Sequence, residues 1–190
     1  MAGPSANDLR VYLGDGSGSF PDQIGIATQV QGEAKALSEI DVDGDGASEL
    51  VMAGTFGTLI ARNQETGQAR IDPLPGGAVL DIAVTDFDQD GFPDLVTIAA
   101  DDRSVNMLRN AGNGTFFLQG SIQEGSVARV SAADLDNDGL PDLLLAIDGE
   151  DLGAPHTRLM LRQSDGTYVV ANTLGASMAS ELVTGDVDGD

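Results

Sequence analysis

Three nine-residue segments of this 190-residue chain carry acids at positions one, three and five, a glycine at six and a further acid at nine. They run from Asp41 to Glu49 (DVDGDGASE), Asp86 to Asp94 (DFDQDGFPD) and Asp134 to Asp142 (DLDNDGLPD), and a fourth begins with Asp186, Asp188 and Asp190. Their starts lie 45, 48 and 52 residues apart. Hard oxygen donors at this density suit calcium, which takes about six to eight of them from carboxylates, carbonyls and water. A flexed loop turns alternate side chains inward, and glycine at position six permits the sharp bend. Asp41, Asp43, Asp45 and Glu49 are expected to converge on one ion, with the Ala47 carbonyl as a fifth ligand. The same assignment gives Asp86, Asp88, Asp90 and Asp94 with the Phe92 carbonyl, and Asp134, Asp136, Asp138 and Asp142 with the Leu140 carbonyl. Asp186, Asp188 and Asp190 supply part of a fourth cage, so two to four structural calcium ions are expected.

Plain solvated turns also favour Asp, Asn and Gly. However, four carboxylates within nine residues raise one another's pKa, a strain that a solvent-facing turn has no reason to carry three times. The EF-hand shares the first half of the pattern but needs a glutamate at position twelve and flanking helices. Position twelve here is Met52, Thr97 or Leu145, each inside strand-like sequence. The first loop ends in Glu49 and lacks the prolines found at Pro93 and Pro141, so the second and third loops are expected to bind best.

The elements that must hold these loops read as strands. Apolar residues alternate from Leu80 to Val84, while Leu95–Ala99 and Leu143–Ile147 are continuous apolar runs suited to buried strands. A second motif recurs between the loops: an apolar run, a Gly/Asn/Asp turn and an aromatic residue, at Val11–Phe20, Val105–Phe116 and Leu159–Tyr168, with a degenerate copy from Leu59 to Ala69. The recurring Phe20, Phe116 and Tyr168 are expected in the core, as are the apolar residues at position two of each loop, Val42, Phe87, Leu135 and Val187. One repeat is thus strand, acidic loop, strand, loop, strand, turn, strand, which makes one blade of a β-propeller. The expected fold is all-β, a partial propeller of four-stranded antiparallel blades. Its expected divisions are a partial blade at 1–32, blades at 33–77, 78–125 and 126–176, and a partial blade at 177–190.

The acidic loops resemble the FG-GAP/VCBS repeats of integrin α subunits, many secreted bacterial proteins and some fungal lectins, and the resemblance spans residues 8–190. It implies a propeller of seven or eight blades, with calcium clamping the hairpin between the first two strands of a blade. The ligand positions named above match the family's loop, with Glu49 as a departure.

Composition narrows the function. The chain carries 31 acids against 9 basic residues, a formal charge of −22, which disfavours nucleic acid as a partner. There is no cysteine, hence no disulfide, thiolate site or cysteine nucleophile. No apolar run is long enough to insert into a membrane, and the opening residues lack the features of a signal peptide, so an export signal is expected outside this chain. His156 is the single histidine, and no nucleophile elbow or phosphate-binding loop appears. The leading expectation is a calcium-stabilised, non-enzymatic binding or adhesion module, extracellular, on the cell surface or periplasmic, whose partner is a protein or glycan. Open propeller edges also allow self-association. The alternatives are the propeller of a carbohydrate-active enzyme, a polysaccharide lyase or hydrolase, or a sugar-binding lectin. The long connection from Asp148 to His156 is the candidate binding loop.

Overall fold

A computed structural model describes residues 8–13, 15–27, 31–62, 70–149, 154–175 and 181–184. All of the regular structure among them is β-strand, and no helix there is long and apolar enough to cross a membrane. A hairpin of β1 (Asp8–Leu13) and β2 (Asp22–Ala27) precedes three four-stranded sheets. The first contains β3 (Ala34–Ile40), β4 (Glu49–Gly54), β5 (Gly57–Arg62) and β6 (Arg70–Pro73). The second contains β7 (Val79–Thr85), β8 (Asp94–Ala99), β9 (Val105–Asn110) and β10 (Phe116–Ile122). The third contains β11 (Val127–Ala133), β12 (Asp142–Ile147), β13 (His156–Arg162) and β14 (Tyr168–Gly175).

In every sheet the strands are antiparallel and adjacent in chain order, and the first strands of the three four-stranded sheets pack in succession, β3 against β7 and β7 against β11. The result is an open arc of propeller blades. The acidic loop joins the first and second strands of each blade. The second strands are the most deeply buried: Val51, Leu95, Val96, Ile98, Leu143 and Leu145 have no exposed surface. Each lies between two strands of its own sheet and packs against a neighbouring blade, which is why their sequences are continuous apolar runs. Strand β7 does not show the clean alternation its sequence suggests, because it packs against strands on both sides and is partly buried along its length after Val79. Each first strand slips register at the same place, after Ala34, Val79 and Val127, a bulge repeated in all three blades.

The core lies between blades. One cluster joins Val42, Val51 and Ile60 of the first blade to Leu95, Leu108 and Phe116 of the second; another joins Phe87, Val96 and Ile98 of the second to Val130, Leu143 and Met160 of the third. The position-two residues Val42 and Phe87 thus anchor their loops in the interface with the next blade. Leu135 departs from the expectation: it is 40% exposed, since its outward face has no following blade against it among the described residues. Tyr168 packs on the core and Phe116 is buried, but Phe20 is 62% exposed and does not belong to it. Val187 lies outside the described residues.

Candidate metal centres

The loops are shaped by their own carboxylates. The position-one acid accepts from the amide of the position-six glycine in each: Gly46 to Asp41 at 2.9 Å, Gly91 to Asp86 at 2.9 Å, and Gly139 to Asp134 at 2.8 Å. The position-five acid accepts from the position-seven amide: Ala47 to Asp45, Phe92 to Asp90 and Leu140 to Asp138. Position four takes positive φ throughout, at Gly44 (75°), Gln89 (61°) and Asn137 (59°), so the bend begins before the position-six glycine. The position-nine acids, Glu49, Asp94 and Asp142, are buried and accept from the position-two amides of Val42, Phe87 and Leu135. Asp94 and Asp142 also accept from the third strand, from the amides of Asn110 and Arg162, both at close range (2.7 and 2.8 Å). Position nine therefore ties loop to blade.

Three carboxylate triads result among the described residues: Asp41, Asp43 and Asp45; Asp86, Asp88 and Asp90; Asp134, Asp136 and Asp142. Within each, one oxygen from every acid lies within 4.8 Å of the others, the span of two ligands about 2.4 Å from a central calcium. Glu49 and Asp94 fall outside these triads and follow them in sequence, and Asp138 falls outside the third although it lies between its members in sequence. The Ala47, Phe92 and Leu140 positions sit on the same loops, with their amides turned to the position-five acids. Asp186, Asp188 and Asp190 lie outside the described residues, as do residues 150–153 of the long connection.

The donor set fits a hard cation. Asp43 Oδ1 is fully buried and has no hydrogen-bond partner, a costly arrangement for a carboxylate oxygen unless a cation satisfies it. Burial raises the pKa of Glu49 in the first loop and pushes Asp94 up to about 6 in the second, with the charges of Asp88 and Asp90 adding to the rise. Asp136 in the third loop is also raised, by partial desolvation and then by Asp138, Asp142 and Asp134. Each loop thus holds charge that favours neutralisation.

The chain matches the sequence model of the FG-GAP-like repeat over residues 41–97 and 86–145, which together take in all three loops and the strands that follow them. It belongs to the FG-GAP-like repeat family. Among solved structures, an Agrocybe aegerita lectin, described as specifically recognising non-reducing terminal N-acetylglucosamine, is similar over 77% of this chain, with 20% identity and a TM-score of 0.53. The match covers 39% of that lectin and shows a shared fold. No curated protein sequence matches the chain.

Several residues of this FG-GAP-like chain that shape the loops are not among its acids. Arg62 donates to Asp43 (3.3 Å), to Asp72 (3.0 Å) and, across the blade boundary, to the Gly114 carbonyl (2.8 Å). Arg109 donates to Asp88 and, at 2.8 Å, to Asp90. The loops also touch one another. Phe92 of the second loop lies against Gly44 of the first, where an added Cβ would come within 3.2 Å of its ring, and the Gln89 amide donates to the Gly139 carbonyl of the third. A signal for the arginines exists in the repeated apolar-Arg pairs at Ala61-Arg62, Leu108-Arg109 and Leu161-Arg162, but it misleads in the third blade. There Arg162, not Leu161, donates its amide to position nine, as Asn110 does in the second, so Leu161 is the counterpart of Arg109. His156 opens β13 with its ring against Arg158 and the Ala154 carbonyl, so it is engaged in the fold and not free in a loop.

Proposed function

We propose that this chain is a non-catalytic binding module whose acidic loops are held by calcium, exported from the cell or displayed on its surface. The observation that carries it is the Asp43 carboxylate, whose buried Oδ1 faces no protein donor, in a loop whose position-one and position-three acids gather with a third carboxylate in all three blades. Calcium bound in the loops supplies the positive charge that the crowded carboxylates lack. The chain's own residues do the rest: position-one and position-five acids fix the bend, position nine ties the second and third loops to the third strand, and position two locks the first and second loops into the next blade. Sites of this extracellular kind work at roughly 0.1–1 mM calcium, which favours an exported setting over a calcium-poor cytosol. The net charge of −22 favours partners other than nucleic acid.

A glycan is the partner class the geometry favours. An open groove of about 740 Å³ lies between the first and second blades, where Asp43, Asp72, Arg62, Asn113 and Thr115 offer polar groups beside the apolar Leu74. The lectin-like fold supports the same class. Chelator-treated protein should melt at lower temperature than protein in calcium, and a glycan array probed in both states should show retention only with calcium. Equal melting in calcium, magnesium and chelator would remove the basis of this reading. Retention of proteins but not of any glycan would point to a protein ligand, and a concentration-dependent size in solution to self-association.

A further inference from the structure

The second and third loops carry the same acids at all four ligand positions, yet their surroundings differ in one charge. In the second, Arg109 at the end of β9 donates to Asp88 through Nε and to Asp90 through Nη2, taking up one oxygen from two of the three triad acids. The remaining oxygens of those acids accept amides of their own loop, from Asp90 and Phe92. In the third loop the backbone bonds are the same, Asp138 amide to Asp136 and Leu140 amide to Asp138, but the counterpart of Arg109 is Leu161. Pairing fixes that equivalence: Leu95 lies opposite Leu108 and Leu143 opposite Met160, so the next residues along, Arg109 and Leu161, stand across from the position-nine acids. No ion pair reaches Asp134, Asp136 or Asp138 among the described residues. The first loop is intermediate: Arg62 stands in the matching place, opposite Glu49, but contacts Asp43 alone and shares itself with Asp72.

We propose that Arg109 is the resident counter-cation of the second loop, holding it closed without metal and competing with calcium for Asp88 and Asp90, so that the third loop binds calcium more tightly although its ligand residues are the same. This rests on the calcium reading above. Two charge-assisted hydrogen bonds must give way in the second loop before its carboxylates can turn to a metal, and none in the third. The sequence alone ranks the two loops together; the arginine separates them. Arg62 plays the same part, with one contact, in the first.

The glycine amides bonded to the position-one acids report each loop separately, so calcium can be titrated into labelled protein while the amide resonances of Gly91 and Gly139 are followed. In the unmodified chain Gly139 should reach half-saturation at lower calcium than Gly91. Arg109→Gln should tighten binding at Gly91 by about tenfold, as expected for the loss of two charge-assisted bonds to a competing cation. Leu161→Arg should weaken binding at Gly139. Lys35→Gln, an exposed change of the same charge far from the loops, should move neither by more than about twofold, the scale of screened surface charge. Weaker binding at Gly91 in Arg109→Gln would overturn the proposal, because the arginine would then be organising the cage. So would a change no larger than that of Lys35→Gln. A chelator arm separates this from failure of the calcium reading: without metal, Arg109→Gln should speed hydrogen exchange at Gly91 and leave Gly139 unchanged. If calcium shifts neither glycine in the unmodified chain, the calcium reading fails, and the chelator arm still decides whether Arg109 holds the loop.

Discussion

The side-chain amide of Asn110 donates to the backbone carbonyl of Val42, 2.8 Å away across the boundary between the first two blades. Asn110 is fully buried and uses its whole capacity: Nδ2 also reaches the Pro93 carbonyl, and Oδ1 accepts the amides of Gly112 and Gly114. It joins the first acidic loop, the second acidic loop and the β9–β10 turn at one point. Asn110→Ala strands those buried partners and should cost roughly 2–4 kcal/mol in urea unfolding. Asn110→Asp should cost more, because it sets a buried carboxylate against two carbonyls. A loss under 1 kcal/mol for either would mean that the blade boundary does not depend on this bond.

The position-two residues should separate by exposure. Phe87 is 2% exposed within the core between the second and third blades, so Phe87→Ala should cost about 3–5 kcal/mol. Leu135 occupies the same loop position at 40% exposure, and Leu135→Ala should cost less than about 1 kcal/mol. Chemical denaturation of the two variants side by side checks the difference. Equal losses would show that Leu135 is covered in solution.

Asp94 gives a pH signature in metal-free protein. Burial, opposed by the Asn110 amide and reinforced by Asp88, lifts its pKa from 3.8 to about 6 in the fold. The folded state therefore binds this proton more tightly than the unfolded chain, and its contribution to stability is complete below about pH 4, the unfolded value. That contribution is lost as pH rises through about 6. Melting in chelator should show this loss in the unmodified protein relative to Asp94→Asn, and calcium should abolish it by favouring the ionised form. A difference between the two proteins that does not change from pH 4 to 7 would contradict the assignment.

Gln89 sits at φ 61°, where glycine is at ease and other residues are strained, and its side chain is the bridge from the second loop to the Gly139 carbonyl of the third. Gln89→Gly removes strain and bridge together. Global stability should change by less than about 1 kcal/mol, while hydrogen exchange in residues 136–140 should accelerate. Unchanged exchange there would mean the loops are independent.

Most of the frame was legible in the residues. Alternate acids with glycine at position six marked the loops, and continuous apolar runs marked β8 and β12, because both patterns are local and tied to backbone period. What escaped depends on contacts between blades or between distant strands of one blade. Leu135 and Phe20 match their buried counterparts in sequence, yet both are exposed, and for Leu135 only the absence of a covering sheet makes the difference. Arg109, Asn110 and Gln89 reach residues up to 68 positions away, and no periodicity encodes such a reach. The third-blade arginine was misleading for a geometric reason. Arg162 looks like the partner of Arg109, but strand pairing sets it one residue further along, in the place of Asn110.

The most direct test of the central claim is calorimetric titration of chelator-stripped protein with calcium, with magnesium as the control for charge screening. Saturable, calcium-specific binding of at least two ions is expected at millimolar or tighter affinity, about 4 kcal/mol each or more. One of those ions should be lost in Asp136→Ala and another in Asp88→Ala. Heats that match the magnesium control, or that survive both substitutions, would contradict it.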